Sequence, residues 1–167
     1  MTGRGAPAVS RESAASLVLS RYLPYRLSVA SNKASGLIAR AYQARFGLTI
    51  WEWRVVAVLG AGEAMTAQAI CEATAMDKVT VSRALRALTD RALVRRRTSP
   101  SDKRASLASL TAEGQAIYDE IAPVALEWEH SLLEGFSEDE RRLLGELLDR
   151  LASRADILAR GEDGEPV

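Results

Sequence analysis

Lys78, Thr80, Ser82, Arg83 and Arg86 crowd one short run of the chain, with Asp77 immediately before them. Their spacing is helical. Val81, Ala84, Leu85, Leu88 and Ala92 recur at i, i+3, i+4 and i+7 on one apolar face, which leaves Arg83 and Arg86 on the opposite one. Asp77 stands where a carboxylate can accept hydrogen bonds from the unpartnered amides of the first turn. Cations and hydroxyls on the outer face of such a helix can reach guanine acceptors and backbone phosphates in the major groove of DNA. A merely solvated helix face would carry the same residues, so the segment that follows has to decide between the two.

That segment reads Leu93-Val94-Arg95-Arg96-Arg97-Thr98, then Ser99-Pro100-Ser101-Asp102-Lys103-Arg104, then Ala105-Ser106-Leu107-Ala108-Ser109-Leu110. Two short extended runs joined by a Ser/Pro/Asp loop predict a β-hairpin with a charged tip. A basic hairpin directly behind a basic helix is a winged helix-turn-helix pattern. Here the sequence resembles the MarR family of bacterial transcription regulators, on Val81-Ser82-Arg83, Leu93-Val94, Asp102-Lys103-Arg104 and Leu110-Thr111-Ala112-Glu113-Gly114. The similarity runs over about residues 22 to 155. It implies a mainly α fold with a small β-wing, a winged helix-turn-helix joined to a helical dimerisation layer. It further implies that Arg104 at the wing tip enters the minor groove while Asp102 steadies it or a neighbouring Arg, with Lys103 beside them.

Charge distribution agrees with this orientation. The chain has 22 basic and 22 acidic residues, so net charge alone points to no partner. Residues 77–110 nevertheless hold 9 basic against 3 acidic residues, whereas residues 111–167 hold 5 against 15. Phosphate would attract the first segment and repel the second.

The remaining elements must hold the basic helix in place. Residues 1–16 are small and polar and read as a disordered tail. A long helix is expected from Leu17 or Leu23 to Phe46, with Leu27, Ala34, Leu37, Ile38 and Ala41 on its apolar side and Gly47 ending it. Thr49 and Glu52 have the spacing of a capping box, and Leu48 with Trp53 that of a hydrophobic staple, for a second helix from Ile50 to Leu59. Gly60 and Gly62 break it. Thr66 can cap a third helix, Ala67 to Thr74, with Ala69, Ile70 and Ala73 as core, and the turn Thr74-Ala75-Met76 leads into the basic helix.

Beyond the hairpin, Thr111 caps a helix to about Leu133 whose Ile117, Ile121, Val124, Ala125, Trp128 and Leu132 share a side. Ser137-Glu138-Asp139-Glu140 is a capping box for a last helix with a leucine face, Leu143, Leu144, Leu147, Leu148 and Leu151. These long helices carry more apolar surface than the small DNA-binding unit can cover, so a partner subunit is expected. The division that follows is residues 47–110 for the winged unit and residues 17–46 with 111–158 for dimerisation. The resemblance implies an obligate homodimer on double-stranded DNA, and two-fold symmetry then predicts a pseudo-palindromic operator with half-site centres about 10 bp apart.

Enzyme chemistry finds little footing. The chain lacks GxGxxG, a Walker loop and GxSxG, and its single histidine, His130, neighbours Glu129 with no nucleophile or metal partners near in sequence. No cofactor or metal is expected. One cysteine, Cys71, excludes an intramolecular disulfide, and no apolar run approaches the ~18 residues of a membrane span, which favours a cytoplasmic protein. Two alternatives remain open: a redox-sensing regulator using Cys71, and a helical protein-interaction adaptor that does not bind DNA.

Members of the family respond to small molecules, and Tyr22 to Lys33 together with Trp51 to Arg54 resembles members that control aromatic-acid breakdown. Tyr25, Ser28 and Asn32 form a polar stripe at i, i+3 and i+7, Trp53 offers an apolar wall and Arg26 can pair a carboxylate. The expected effector is an aromatic carboxylate or its CoA thioester, whose binding releases a repressor from DNA. The same groups could serve the dimer interface instead.

Overall fold

A computed structural model describes residues 17–98 and 106–161, which form six α-helices and a three-stranded sheet. After a single 3-10 turn, Leu19–Arg21, helix α1 runs from Leu23 to Phe46 with Pro24 in its first turn, where a missing N–H costs nothing. Gly47 ends it at φ +61. Leu48 is fully buried and Thr49 caps α2, Ile50–Leu59, through a complete box: the Glu52 amide donates to Thr49 Oγ1 at 3.2 Å and the Thr49 amide donates to Glu52 Oε2 at 2.7 Å.

Strand β1, Met65–Thr66, leads into α3, Ala67–Thr74, whose first turn is capped by Thr66 accepting from the Ala69 amide at 3.1 Å. Helix α4 follows at Lys78–Asp90, then strands β2, Val94–Thr98, and β3, Ser106–Leu110. The sheet order is β1-β3-β2, antiparallel throughout, with Val94 opposite Leu110 and Met65 opposite Ala108. The expected hairpin and the fold class, mostly helical with a small antiparallel wing, are both present. Strand β1 was not foreseen, because two residues carry no alternation and its partner lies some forty positions away.

Two core assignments need correction. Ala92 does not lie on α4; the helix stops at Asp90 and Ala92 is exposed at φ +57 in the turn behind it. Ala73 is exposed as well, and of the three residues expected to be core on α3 only Ile70 is fully buried. The apolar stripe of α4 and Ile70 are buried as expected, and the core they enter includes residues that had not been singled out. Val55, Val56 and Leu59 of α2 meet Ile70 of α3, Val81, Leu85 and Leu88 of α4 and Val94 of β2, and Tyr42 of α1 and Ile121 of α5 close the cluster. Trp53 stacks between Tyr42 and Tyr118, with ring centroids 5.7 and 6.3 Å apart. Burial of Tyr42 pushes its hydroxyl above the ordinary range, against the opposing charge of Arg54.

Helix α5, Ala112–Leu132, is capped by Thr111 accepting from the Gly114 amide at 3.1 Å. Helix α6, Glu138–Gly161, starts at the Ser137/Glu140 box and has no buried residue along its 24 positions. Leu144, Leu147, Leu148, Leu151 and Ile157 instead line an open groove of about 830 Å³ with Leu23 and Leu27 of α1. No helix among the described residues is long and apolar enough to cross a membrane.

Gly114 is where α5 seats on the wing. A Cβ built there would press into the backbone carbonyl oxygen of Leu93, well inside van der Waals contact, and backbone cannot swing away as a side chain can. Gly114→Ala should therefore destabilise the fold by about 1–3 kcal/mol, the usual cost of overpacking. Urea denaturation measures it, and an unchanged midpoint would mean that α5 is not seated on Leu93.

Candidate nucleic-acid interface

The first turn of α4 is closed by Asp77. Its Oδ1 accepts from the amides of Val79 and Thr80, each at 2.9 Å, and its Oδ2 accepts from the Thr80 hydroxyl at 2.6 Å. The Thr80 hydroxyl, followed by these amides, holds the Asp77 carboxyl below the usual range. The stabilisation this charge confers is present above the ordinary carboxylate range and is lost only as pH falls through the lowered value. Thr80 is thereby committed to the cap, and it is half-buried.

Below this cap α4 has two opposed ridges. Val81, Ala84, Leu85 and Leu88 are buried against α2 and α3. At about 100° per residue, the outward ridge consists of Val79, Arg83, Arg86 and Asp90, with Ser82 and Lys78 to one side, all of them exposed. Lys78, Ser82, Arg83 and Arg86 thus lie together on the surface a groove would meet. Asp102, Lys103 and Arg104 lie outside the described residues.

The wing adds a side chain that the sequence reading passed over. Alternation along β2 puts Val94 and Arg96 on one face and Arg95 and Arg97 on the other. Val94 enters the core, so Arg96, two residues on, leans toward α4. Its Nε donates to Ser106 Oγ at 3.3 Å, and it lines a cleft of about 450 Å³ with Ser82, Arg83, Arg86, Thr89 and Asp90. On the opposite face Arg95 donates to Ser109 Oγ at 3.0 Å. The only hint in the sequence was parity with Val94.

Behind α4 the chain is fastened at three consecutive residues. Arg91 donates to the carbonyls of Phe46 at 2.6 Å and Gly47 at 3.2 Å, at the C-terminus of α1. The Ala92 carbonyl accepts from the Thr111 hydroxyl at 2.8 Å, and the Leu93 carbonyl from the Thr111 amide at 3.0 Å.

The residues expected to bind a small molecule separate into two places. Tyr25, Arg26 and Ser28 are exposed on the N-terminal part of α1. Asn32, one turn further, lines a polar cleft of about 390 Å³ between α1 and α2 with Ser35, Gln43, Trp51 and Arg54. Trp53 is not in that cleft, because its ring is held between Tyr42 and Tyr118. Trp51 is the aromatic wall there, with the half-buried Arg54 guanidinium 5.4 Å from its ring centroid. Arg54 makes no salt bridge to a carboxylate among the described residues. Cys71 is half-buried and packs against the core from α3, and His130 is exposed on α5.

Known proteins share this arrangement. A family model described as "MarR family" matches residues 46–105. YwoH of Bacillus subtilis (strain 168), an uncharacterised HTH-type transcriptional regulator, is 30% identical over 119 residues, 70% of this chain and 86% of its own. Among solved structures, a MarR/EmrR family transcriptional regulator from Acinetobacter sp. ADP1 superposes with a TM-score of 0.77 at 30% identity, over 84% of this chain and 99% of that one. BpsR of Bordetella bronchiseptica, described in connection with regulation of its DNA binding by 6-hydroxynicotinic acid, gives 0.74 at 25% identity, over 82% and 97%.

Arg96 faces the same side as Arg83 and Arg86 but stands on a strand beside α4, a position suited to backbone phosphate rather than to a base edge. Arg96→Ala should weaken binding to all DNA sequences alike. The slope of log affinity against log salt should fall by about 0.9 per subunit bound, the release expected for one phosphate contact. A loss confined to one sequence, with the slope unchanged, would assign Arg96 to base reading instead.

Proposed function

From the premise that this chain belongs to the MarR family of DNA-binding transcription regulators, we propose that it acts as a homodimeric repressor released from a pseudo-palindromic operator by an aromatic carboxylate or its CoA thioester. The observation that carries the DNA-reading part is the outward ridge of α4, with Arg83 and Arg86 exposed, Lys78 and Ser82 beside them and Arg96 across the cleft. Lys103, Arg104 and Asp102 belong to the same proposal as the wing tip in the minor groove, where a narrow A·T-rich groove concentrates negative potential.

Dimerisation rests on α6. A helix of 24 residues without one buried side chain, bearing leucines 40% to 52% exposed, is poorly suited to remain in water. The groove between those leucines and Leu23 and Leu27 of α1 fits the same helices of a second copy, and a two-fold pair would set two reading helices on successive major grooves. Light scattering should return twice the 18.1 kDa chain mass, and a monomer across the micromolar range would remove the dimer from the proposal.

The effector part rests on the α1–α2 cleft. Arg54 supplies a cation with no carboxylate partner among the described residues, Trp51 a flat apolar wall, and Asn32, Ser35 and Gln43 hydrogen-bonding groups. Tyr25 and Ser28 continue the Asn32 stripe along α1, with Arg26 adjacent, so a longer ligand such as a CoA ester would extend that way. The ligand named for BpsR is itself an aromatic carboxylate. Benzoates, hydroxycinnamates and their CoA esters should be titrated into a preformed protein–DNA complex. A ~100-fold loss of DNA affinity corresponds to about 2.7 kcal/mol of coupling. Arg54→Ala should bind DNA as the parent does and resist release; failure of every compound to release the parent complex would dismiss the aromatic effector while leaving DNA binding intact.

A further inference from the structure

Val79 stands at the N-terminal end of the outward ridge of α4, and it is the apolar residue among the polar and charged side chains of that ridge. Within α4 it lies almost opposite the buried Val81–Leu88 ridge, in line with Arg83 and Arg86 at i+4 and i+7. It is 59% exposed. Its neighbour Thr80 cannot substitute for it, because that hydroxyl donates to Asp77 at 2.6 Å and the side chain is half-buried. A β-branched residue in the first turn also gains nothing for the helix itself, since Ala would serve better there.

We infer that Val79 reads the 5-methyl group of a pyrimidine, thymine in unmodified DNA, in the major groove. In a helix-turn-helix it is the N-terminal part of the second helix that reaches base edges, and Val79 is the second residue of α4. Of the features exposed in the major groove, the pyrimidine 5-methyl is the apolar one. Arg83 and Arg86 meet guanine acceptors or phosphates, so Val79 adds discrimination that cations on the same ridge cannot supply. Val79 therefore specifies an A·T pair in unmodified DNA where the first turn of α4 meets the groove.

The test begins with randomised unmethylated duplexes, from which the parent protein and Val79→Ala each select a preferred sequence. Parent-selected DNA should contain one thymine per half-site that the variant no longer requires. Replacing that thymine by deoxyuridine, which removes only the methyl, should weaken the parent about fourfold, the size of one methyl withdrawn from water. The same replacement should change Val79→Ala less than about twofold, and Val79→Thr, which keeps one methyl and the branch, should fall between. The thermal midpoint of Val79→Ala should not drop, since Ala is the better helix former. Equal deoxyuridine penalties in the parent and Val79→Ala, or the absence of any thymine whose methyl matters, would overturn the assignment. A second arm with 5-methylcytosine at the same position separates the two sources of this group: a gain there that needs Val79 supports methyl reading as such.

Discussion

Everything that α4 can do on DNA depends on the three-residue turn Arg91–Leu93. The helix ends in a Schellman motif, with the Leu93 amide donating to the Leu88 carbonyl and the Ala92 amide to the Thr89 carbonyl, both at 2.9 Å. Closing that motif forces Ala92 to φ +57, a conformation that costs an alanine about 1–2 kcal/mol. The strained residue is secured from outside: the Thr111 hydroxyl holds its carbonyl, and Leu93, buried beside Leu88, anchors the next position. Arg91 meanwhile places a cation on the last carbonyls of α1, where the helix dipole favours it. One turn therefore fixes the exit of the reading helix to the C-terminus of α1 and the N-terminus of α5.

Electrostatics then orients what the turn has fixed. The outward ridge of α4 and the adjacent face of β2 carry the arginines, whereas α6 opens with Glu138, Asp139 and Glu140. A chain of zero net charge is in this way strongly polarised, and the polarity, rather than the total, governs approach to a polyanion. The carboxylate of Asp90 lies in the same cleft as Arg86 and Arg96 and tempers it. A carboxylate at that place would lower the attraction of the cleft for phosphate of any sequence.

What could be read from the sequence was what is local. The caps at Thr49, Thr66, Asp77, Thr111 and Ser137 each involve partners within three residues, so composition and spacing sufficed to place five helix starts. The ends of α1, α2 and α3 were legible too, but that of α4 was not, because the left-handed residue behind it is Ala92, where the usual signal is glycine and the residue present is the best helix former. Strand β1 is defined by pairing with β3 and has no pattern of its own. On the reading helix, sorting residues by polarity selected Thr80, whose hydroxyl is used by the cap, and passed over exposed Val79. The exchange of Trp51 for Trp53 has a similar origin: a tryptophan pair two apart on α2 points two ways, and only the packing of Tyr42 and Tyr118 decides which ring is buried.

The positions of the cleft and the turn bear on how a signal could travel. Asn32, Ser35 and Gln43 lie on α1, which ends at the carbonyls held by Arg91, while Trp51 and Arg54 lie on α2, whose Val55, Val56 and Leu59 belong to the core that supports α4. A ligand wedged between the two helices would have to change their separation or stiffen it. Either effect reaches α4 by two routes, through the core contacts of α2 and through the hydrogen bonds of Arg91. Packed cores do not deform continuously, so a small opening at the cleft is more readily accommodated by a shift of α4 as a unit than by dilution along the way. In a two-fold pair such a shift is applied twice and with opposite sense along the DNA, and the separation of the two reading helices changes by the sum. On the proposed function, release would then need no damage to either reading surface, only a spacing that no longer matches one turn of the duplex.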